Sequence, residues 1–284
     1  NNIFVYYLAS QVGTVGHPAD QNLSAGTGTF TGDLTVDTST LKVDSTNNRI
    51  GVGVASPSSS LHIRTADSSA TAQSGSALVI EGTDATRADL QFLGDAGAFQ
   101  AIYFGDNSDA DIGRIAYDHT GNSMRFTVNA AECMRIDSTG AITKPLQPAF
   151  MAKPASNQSN PASNTVIEFR TEIVDQEADF NTSTHTFTAP VTGRYLMCLS
   201  MRMDSVDADM NYCRFKIETS NRSYDANIID PGVFNGDPTY WNFQTTVLAD
   251  MDASDTAVIK WNYSGGTNQA DTSTDSTFSG HLVC

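Results

Sequence analysis

Positive charge is scarce in this sequence: 16 Lys and Arg stand against 32 Asp and Glu, a formal charge of −16. Phosphate recognition requires a basic surface that releases counterions, so nucleic acid is excluded as a partner. The same acidity disfavours anionic membrane surfaces, and it admits cation binding, a saline habitat or simply a well-solvated surface. Long apolar runs are missing too. None approaches the roughly 20 residues of a membrane-spanning helix. The longest, IFVYYLA at residues 3–9, lacks the basic flank and layout of a signal peptide, so no membrane insertion is expected. The chain opens on Asn1 rather than Met, which leaves room for residues removed ahead of it. Cys133, Cys198, Cys213 and Cys284 are scattered and form no CxxC, which removes the zinc-ribbon and thioredoxin readings. Nothing in their use demands an oxidising compartment.

Catalytic signatures are absent as well. HExxH, GxSxG and the phosphate-binding GxxxxGK motif do not occur. Gly51 and Gly53 open like a dinucleotide loop, but the third glycine is missing and Pro57 stands where a helix would start. His17, His62, His119, His185 and His281 lie in dissimilar contexts. The many carboxylates leave an acid–base pair of glycosidase type open. No residue set carries one, and the chain reads as non-enzymatic.

What the sequence does contain is β pattern, centred on FNTSTHTFTAPVTGRY at residues 180–195. Phe180 and Phe187 are core anchors, Pro190 opens a corner, Gly193 closes it and Tyr195 re-enters the fold. In the following YLMCLSMRM, Tyr195, Met197, Leu199, Met201 and Met203 share one face, and Cys198, Ser200 and Arg202 the other. A sustained period of two is a half-buried strand. IEFRTEI, NYCRFKIET, WNFQTTVLA, AVIKWNYS and STFSGHLVC are further strands of the same part of the chain, and Cys213 falls on an apolar face with Phe215 and Ile217 as a small core residue.

Phe180-Asn181, Phe187, and then Pro190, Gly193 and Tyr195 in the order Pro-x-x-Gly-x-Tyr resemble the signature of the complement-one-q globular head. That head is a ten-stranded jelly roll shared in outline with tumour necrosis factor. PAFMA at residues 148–152 resembles the family's opening strand and FSGHLVC at residues 278–284 its closing strand. The resemblance covers residues 146–284. His185 departs from it, standing where the family usually has glycine, so the local turn is expected to differ.

From Gly32 to Lys144 short apolar runs recur, each closed by an Asp, Asn or Gly turn: LTVD, LKVDSTNNRIGVG, LHIRT, ALVIEG, LQFLGD, AIYFGD, IGRIAYD, MRFTVN and MRIDSTGAI. Their spacing suits successive strands of an all-β fold. Each run carries few apolar side chains, too few to offset a chain entropy of about 1 to 2 kcal/mol per ordered residue, so partner chains are expected to complete the core. Residues 34–63 and 113–142 also resemble repeats of tail-fibre proteins of bacterial viruses, which build trimeric shafts. KPLQPAF, with Pro145 and Pro148, marks the junction to the last domain.

Two acidic stretches are candidate calcium sites: GDNSDADIG at residues 105–113 and DSVDAD at residues 204–209. Neither has the EF-hand pattern. Because relatives of the complement-one-q head sometimes bind calcium near the trimer top, the resemblance points to Asp207 and Asp209; the competing reading is solvated turn residues. No other cofactor is expected. Tyr240, Asn235, Asp237 and Tyr224 are candidate receptor contacts, since Tyr offers flat area at low entropy cost. Trp241 and Tyr263 alternate with strand neighbours and belong to a core or a subunit interface. Ile3, Phe4, Val5, Tyr6, Tyr7 and Leu8 are candidate docking residues, or else they begin the shaft.

The expectation is therefore an all-β chain in three parts: an attachment segment with a flexible linker at residues 1–31, a trimeric β-rich shaft at 32–145, and a ten-stranded jelly-roll knob at 146–284. The implied function is that of a homotrimeric fibre on the outer, extracellular surface of a bacterial virus particle. Its amino end would hold a tail, collar or capsid protein and its knob a host-surface glycan or protein. A secreted complement-one-q-like binding lectin and a glycan-cleaving tail spike are the alternatives. The missing collagen-type Gly-x-y stalk counts against the lectin.

Overall fold

The computed structural model describes residues 32–37, 39–225, 227–267 and 269–284. Residues 1–31, with the docking candidates Ile3 to Leu8, lie outside the described residues. Among the described residues there is no α-helix; a 3-10 turn at Pro231–Val233 is the one helical element. No helix of the described residues is long and apolar enough to cross a membrane. The chain divides into two compact units, the first ending at Leu93 and the second beginning at Gly94.

The first unit holds one five-stranded sheet of β1 (Leu34–Val36), β2 (Leu41–Asp44), β3 (Arg49–Val52), β4 (Leu61–Arg64) and β5 (Leu78–Glu81), in sequential order. β1 to β3 are an antiparallel meander, and β3, β4 and β5 run parallel. The second unit opens with an antiparallel meander of β6 (Phe99–Phe104), β7 (Gly113–Asp118), β8 (Ser123–Val128), β9 (Ala131–Ile136) and β10 (Ile142–Thr143). LQFLGD is not a strand. Leu90, Phe92 and Leu93 are exposed, and among the described residues no strand pairs with this run.

Several turns of these sheets are closed by their own Asp side chains. Asp44 Oδ1 accepts the N–H groups of Thr46 and Asn47, each at 3.1 Å. Asp106 Oδ1 accepts those of Ser108 at 2.7 Å and Asp109 at 2.9 Å. Asp137 Oδ1 accepts those of Thr139 at 2.8 Å and Ala141 at 3.0 Å. A short carboxylate that closes its own turn replaces backbone partners the chain cannot supply while reversing. The Asn47 amide, the Ser108 N–H and the Thr139 hydroxyl are the leading causes that hold the carboxyls of Asp44, Asp106 and Asp137 below their ordinary range. Asp33, bonded by Lys42 and then Ser45, is lowered to about 2.

The rest of the second unit is a two-sheet sandwich. One sheet takes β11 (Ala149–Lys153), β12 (Gln158–Ser159), β14 (Thr171–Asp175), β17 (Gly193–Asp204), β20 (Tyr240–Met251), β22 (Asp271–Thr272) and β23 (Thr277–Leu282). The other takes β13 (Thr165–Val166), β15 (Phe180–Asn181), β16 (Thr186–Thr188), β18 (Met210–Thr219), β19 (Ser223–Asp225) and β21 (Thr256–Gly265). Against an expected ten strands, several of these are short pieces that flank turns. IEFRTEI splits: residues 167–170 cross between the sheets with Ile167 and Phe169 fully buried, and only its end joins β14. In β17, Tyr195, Met197, Leu199, Met201 and Met203 face the core as the alternation requires. Cys213 is buried among them, and burial pushes its thiol up to about 12.

The motif that marks this domain is a packing device. Phe150 stacks on Phe187 with ring centroids 4.7 Å apart and on Phe180 at 5.0 Å, and meets Phe278 edge-on at 5.0 Å. Tyr195 is fully buried and donates its hydroxyl to Val191 O at 2.7 Å, which ties down the corner that Pro190 opens. Gly193 is not a turn glycine. A Cβ there would lie 2.6 Å from Cys284 O, so glycine is needed for the close approach of the closing strand, whose Cys284 O accepts Arg194 N–H at 2.7 Å. His185 takes φ of 60°, the left-handed region that glycine enters freely, and its Nδ1 lies 3.3 Å from Phe169 O. A non-glycine residue held in that region carries backbone strain at this turn.

Two expectations follow. Gly280 has no room for a methyl group, since a Cβ would sit 2.5 Å from Met197 Sδ and 2.8 Å from Phe150 Cε1. Gly280→Ala is expected to lower unfolding free energy by about 1–3 kcal/mol through overpacking; an unchanged denaturant midpoint would show that the core has slack. Second, the turn carboxyls titrate lower in the folded chain than in the unfolded one. Their contribution is complete above the unfolded value of about 3.9 and is lost as pH falls through the depressed folded values. The melting temperature is expected to fall steeply below about pH 4, and less steeply for the combined Asp44→Ala, Asp106→Ala and Asp137→Ala variant. Equal slopes for the two proteins would refute the turn role.

Candidate functional site

Three loops meet at one end of the sandwich: residues 204–210 between β17 and β18, 226–239 before β20, and 266–270 after β21. Backbone bonds hold them together. Ser205 N–H donates to Thr239 O at 3.0 Å, and Asp207 N–H to Gln269 O at 2.9 Å. Asp237 adds its side chain, Oδ1 accepting Ala208 N–H at 2.8 Å. The structure thus brings together Asp207, Asp209, Asn235, Asp237 and Tyr240, which are distant in sequence.

Within this end the side chains divide into fasteners and free groups. Asp207 is 4% exposed. Its Oδ2 accepts the Thr267 N–H and, at 2.8 Å, the Thr267 hydroxyl; its Oδ1 accepts Asp209 N–H at 2.8 Å. The Thr267 N–H is the leading cause that holds its carboxyl below the ordinary range. Donors, not further oxygen ligands, surround this carboxylate. Asp209 is exposed, and among the described residues no group of three or more His, Cys, Asp or Glu gathers as a metal would require.

Tyr240, by contrast, is 63% exposed and opens β20 opposite Asp204. Arg202 Cζ lies 4.5 Å from its ring centroid. The guanidinium is held by Asp204, with Nε to Oδ1 at 2.8 Å, and by Asp275, with Nη1 to Oδ2 at 2.6 Å. A fixed cation under a ring orients it and leaves its other face open. Asn235 and Asp237 are exposed beside it, and Val233 projects from the 3-10 turn. Phe234 packs inward on Trp241 at 4.7 Å. Arg202 and Val233 were not among the sequence candidates. The alternation of β17 places Arg202 on the outer face, but only the register with β20 puts it beneath Tyr240.

Tyr224 does not belong to this end as a free contact. It lies in β19 opposite Ile217, half-buried against the core. The short strand β19 presses it on the core instead of presenting it to a ligand. Trp241 and Tyr263 are half-buried against the same core, as their alternation implies.

One further cluster has the order of a nucleophile, a base and an acid. In the first unit His62 is buried, with Nε2 2.9 Å from Glu81 Oε2 and Nδ1 3.2 Å from Ser58 Oγ, beside a cavity of about 200 Å³. Nδ1 also accepts the Ser58 backbone N–H at 3.3 Å. Its lone pair is shared with that amide, and Glu81 is engaged by Ser68 N–H and hydroxyl at 2.8 and 2.9 Å. The imidazole works as a staple between the loop before β4 and strand β5.

Substitution separates the fasteners from the free groups. Asp207→Ala strands the Thr267 and Asp209 donors and is expected to cost about 1–3 kcal/mol. Tyr240→Ala removes a mostly solvated ring and is expected to cost about 1 kcal/mol or less. Urea unfolding of both variants tests this; a larger loss for Tyr240→Ala would reverse the assignment.

Comparison with known proteins bears on the sandwich alone. A family model described as the C1q domain matches residues 149–283. Among solved structures, the globular domain of zebrafish complement 1qA protein is similar at 17% identity and a TM-score of 0.38, over 49% of this chain and 98% of its own. Eiger TNF from S. frugiperda is similar at 9% identity and a TM-score of 0.34, over 49% and 93%. Murine APRIL is similar at 11% identity and a TM-score of 0.34, over 48% and 99%. No curated protein matches the chain. The family match coincides with the two packed sheets and with the Phe150, Phe187, Gly193 and Tyr195 framework: residues 149–283 form a C1q-like jelly-roll domain.

Proposed function

We propose that this chain is a homotrimeric binding protein whose jelly-roll domain presents its loop end to a ligand, and that it serves as a fibre on the outside of a bacterial virus particle. C1q domains are trimeric binding modules, and this domain keeps the packing framework of one. The observation that carries the fibre reading is what precedes the domain. Two sheets of short strands, closed by Asp-capped turns, occupy residues 34–143 where a secreted relative would often carry a Gly-x-y stalk. They form the shaft of residues 32–145, with the knob at 146–284. Residues 1–31, with Ile3 to Leu8, dock to a tail, collar or capsid protein. The knob meets a host-surface glycan or protein through Tyr240, Asn235 and Asp237. The chain acts by binding and not by catalysis, and needs neither calcium nor another cofactor.

The secreted C1q-like binding protein shares the same domain, so the two readings part at the amino end. Deleting residues 1–20 is expected to leave soluble trimers that no longer join virus particles, scored by light scattering and by co-sedimentation with particles. Loss of the trimer would assign the segment to the shaft. Full-length protein that never co-sediments with any particle of its source would favour the secreted reading.

A further inference from the structure

The meander of β6 to β10 is a single sheet with two unlike faces. Strand register places Ile102, Ile115, Phe126 and Met134 in one row across four strands. Tyr117, Met124, Ile136 and Ile142 form the next row on the same face, and Phe104 and Val128 flank Gly113 on the other side. No Asp, Glu, Lys or Arg shares this face. The charged residues of the strands lie on the opposite one. There Arg125 pairs with Asp118, Arg135 reaches Glu132 at 2.7 and 2.8 Å, and Arg114 Nε donates to Thr127 Oγ1 at 3.2 Å. Ala116, Ser123 and Thr127 are buried on this face, while Phe99, with Arg114 Cζ 5.4 Å from its ring centroid, and Tyr103 remain exposed at its β6 edge.

Among the described residues, nothing gives the apolar face such cover. Ile102 is 45% exposed, Phe104 55%, Ile115 37%, Val128 63% and Ile142 60%. A shallow hollow of about 410 Å³ lies open here, lined by Phe104, Ile115, Phe126 and Val128 and also by Arg114, Thr127 and Asn129. With the half-buried Met124, Phe126 and Met134 added, the apolar area left to water is on the order of 600 Å² per copy, taking about 150–200 Å² for each large side chain. That is the upper end of the largest patch on a typical monomer, about 300–600 Å². It approaches the roughly 800 Å² that each partner buries in a stable complex.

We infer that this face is covered by the same face of two further copies, three sheets turning their Ile115 rows toward a common axis. The inference rests on the homotrimer proposed above and names the residues that hold its shaft together. A face without charge offers no complement to a charged or strongly polar ligand, whereas it is self-complementary to an apolar copy of itself. Closed threefold packing would leave no such patch over, and the arginine–carboxylate face would remain in water.

The test uses the full chain carrying Ile115→Cys or Arg125→Cys, treated with a bifunctional maleimide beside the unmodified protein, whose native cysteines set the background. Light scattering is read first. The inference expects trimers, with covalent three-chain adducts for Ile115→Cys and only background for Arg125→Cys. A monomer would sink both the homotrimer and this interface. Trimers in which Ile115→Cys gives no adduct above background, or Arg125→Cys gives more, would sink the interface alone and leave the knob as the trimerising element. Trimers that retain lipid on the meander and leave Ile115→Cys unlinked would likewise overturn it.

Discussion

The jelly roll depends on the Phe150 ring. It comes from the strand that opens the domain, stacks on two rings of the 180–195 stretch and meets edge-on the Phe278 ring of the strand that closes it. Three segments far apart in sequence therefore share one buried contact, and the two sheets cannot pack unless all three are in place. Aromatic pairs contribute beyond the area they bury, by about 0.5–1.5 kcal/mol each. The small residues around them follow from the same constraint. Gly280 leaves space for Phe150 and Met197, and Gly193 lets the closing strand reach Arg194.

This explains what could be read from the sequence. A pattern fixed by core packing is local and periodic, so the alternation of β17, the Phe180 and Phe187 anchors and the burial of Cys213 were all visible in advance. His185 shows the limit from the other side: nothing in its identity announces the positive φ it adopts. What could not be read were features set by register between distant strands. Nothing in the sequence around Arg202 tells that β20 will lay Tyr240 over it. Nor does the apolar run of Leu90 to Leu93 reveal that no strand will pair with it, or the motif around Tyr224 that a short strand will press it on the core.

The acidity has a more local meaning than its size implies. Asp44, Asp106 and Asp137 each spend a carboxylate oxygen on turn amides, and Asp207 spends both of its oxygens on a loop junction. Acidic clusters that read as cation sites in one dimension become, in three, acceptors already supplied with donors. A carboxylate in that position strengthens the fold while it is ionised.

The same division places function. At the loop end Asp207 is buried in the junction it holds, while the side chains of Tyr240, Asn235 and Val233 are exposed. A surface that must recognise a ligand is best built from side chains whose identity the fold does not fix, mounted on loops whose backbone it does. Arg202 serves both needs, because its carboxylate partners anchor it within the sheet while its face orients the Tyr240 ring. The meander at residues 99–143 presents the opposite case. Its uncovered side chains are large, apolar and in register, the properties of a core and not of a recognition surface, so their partner must be a surface of the same kind.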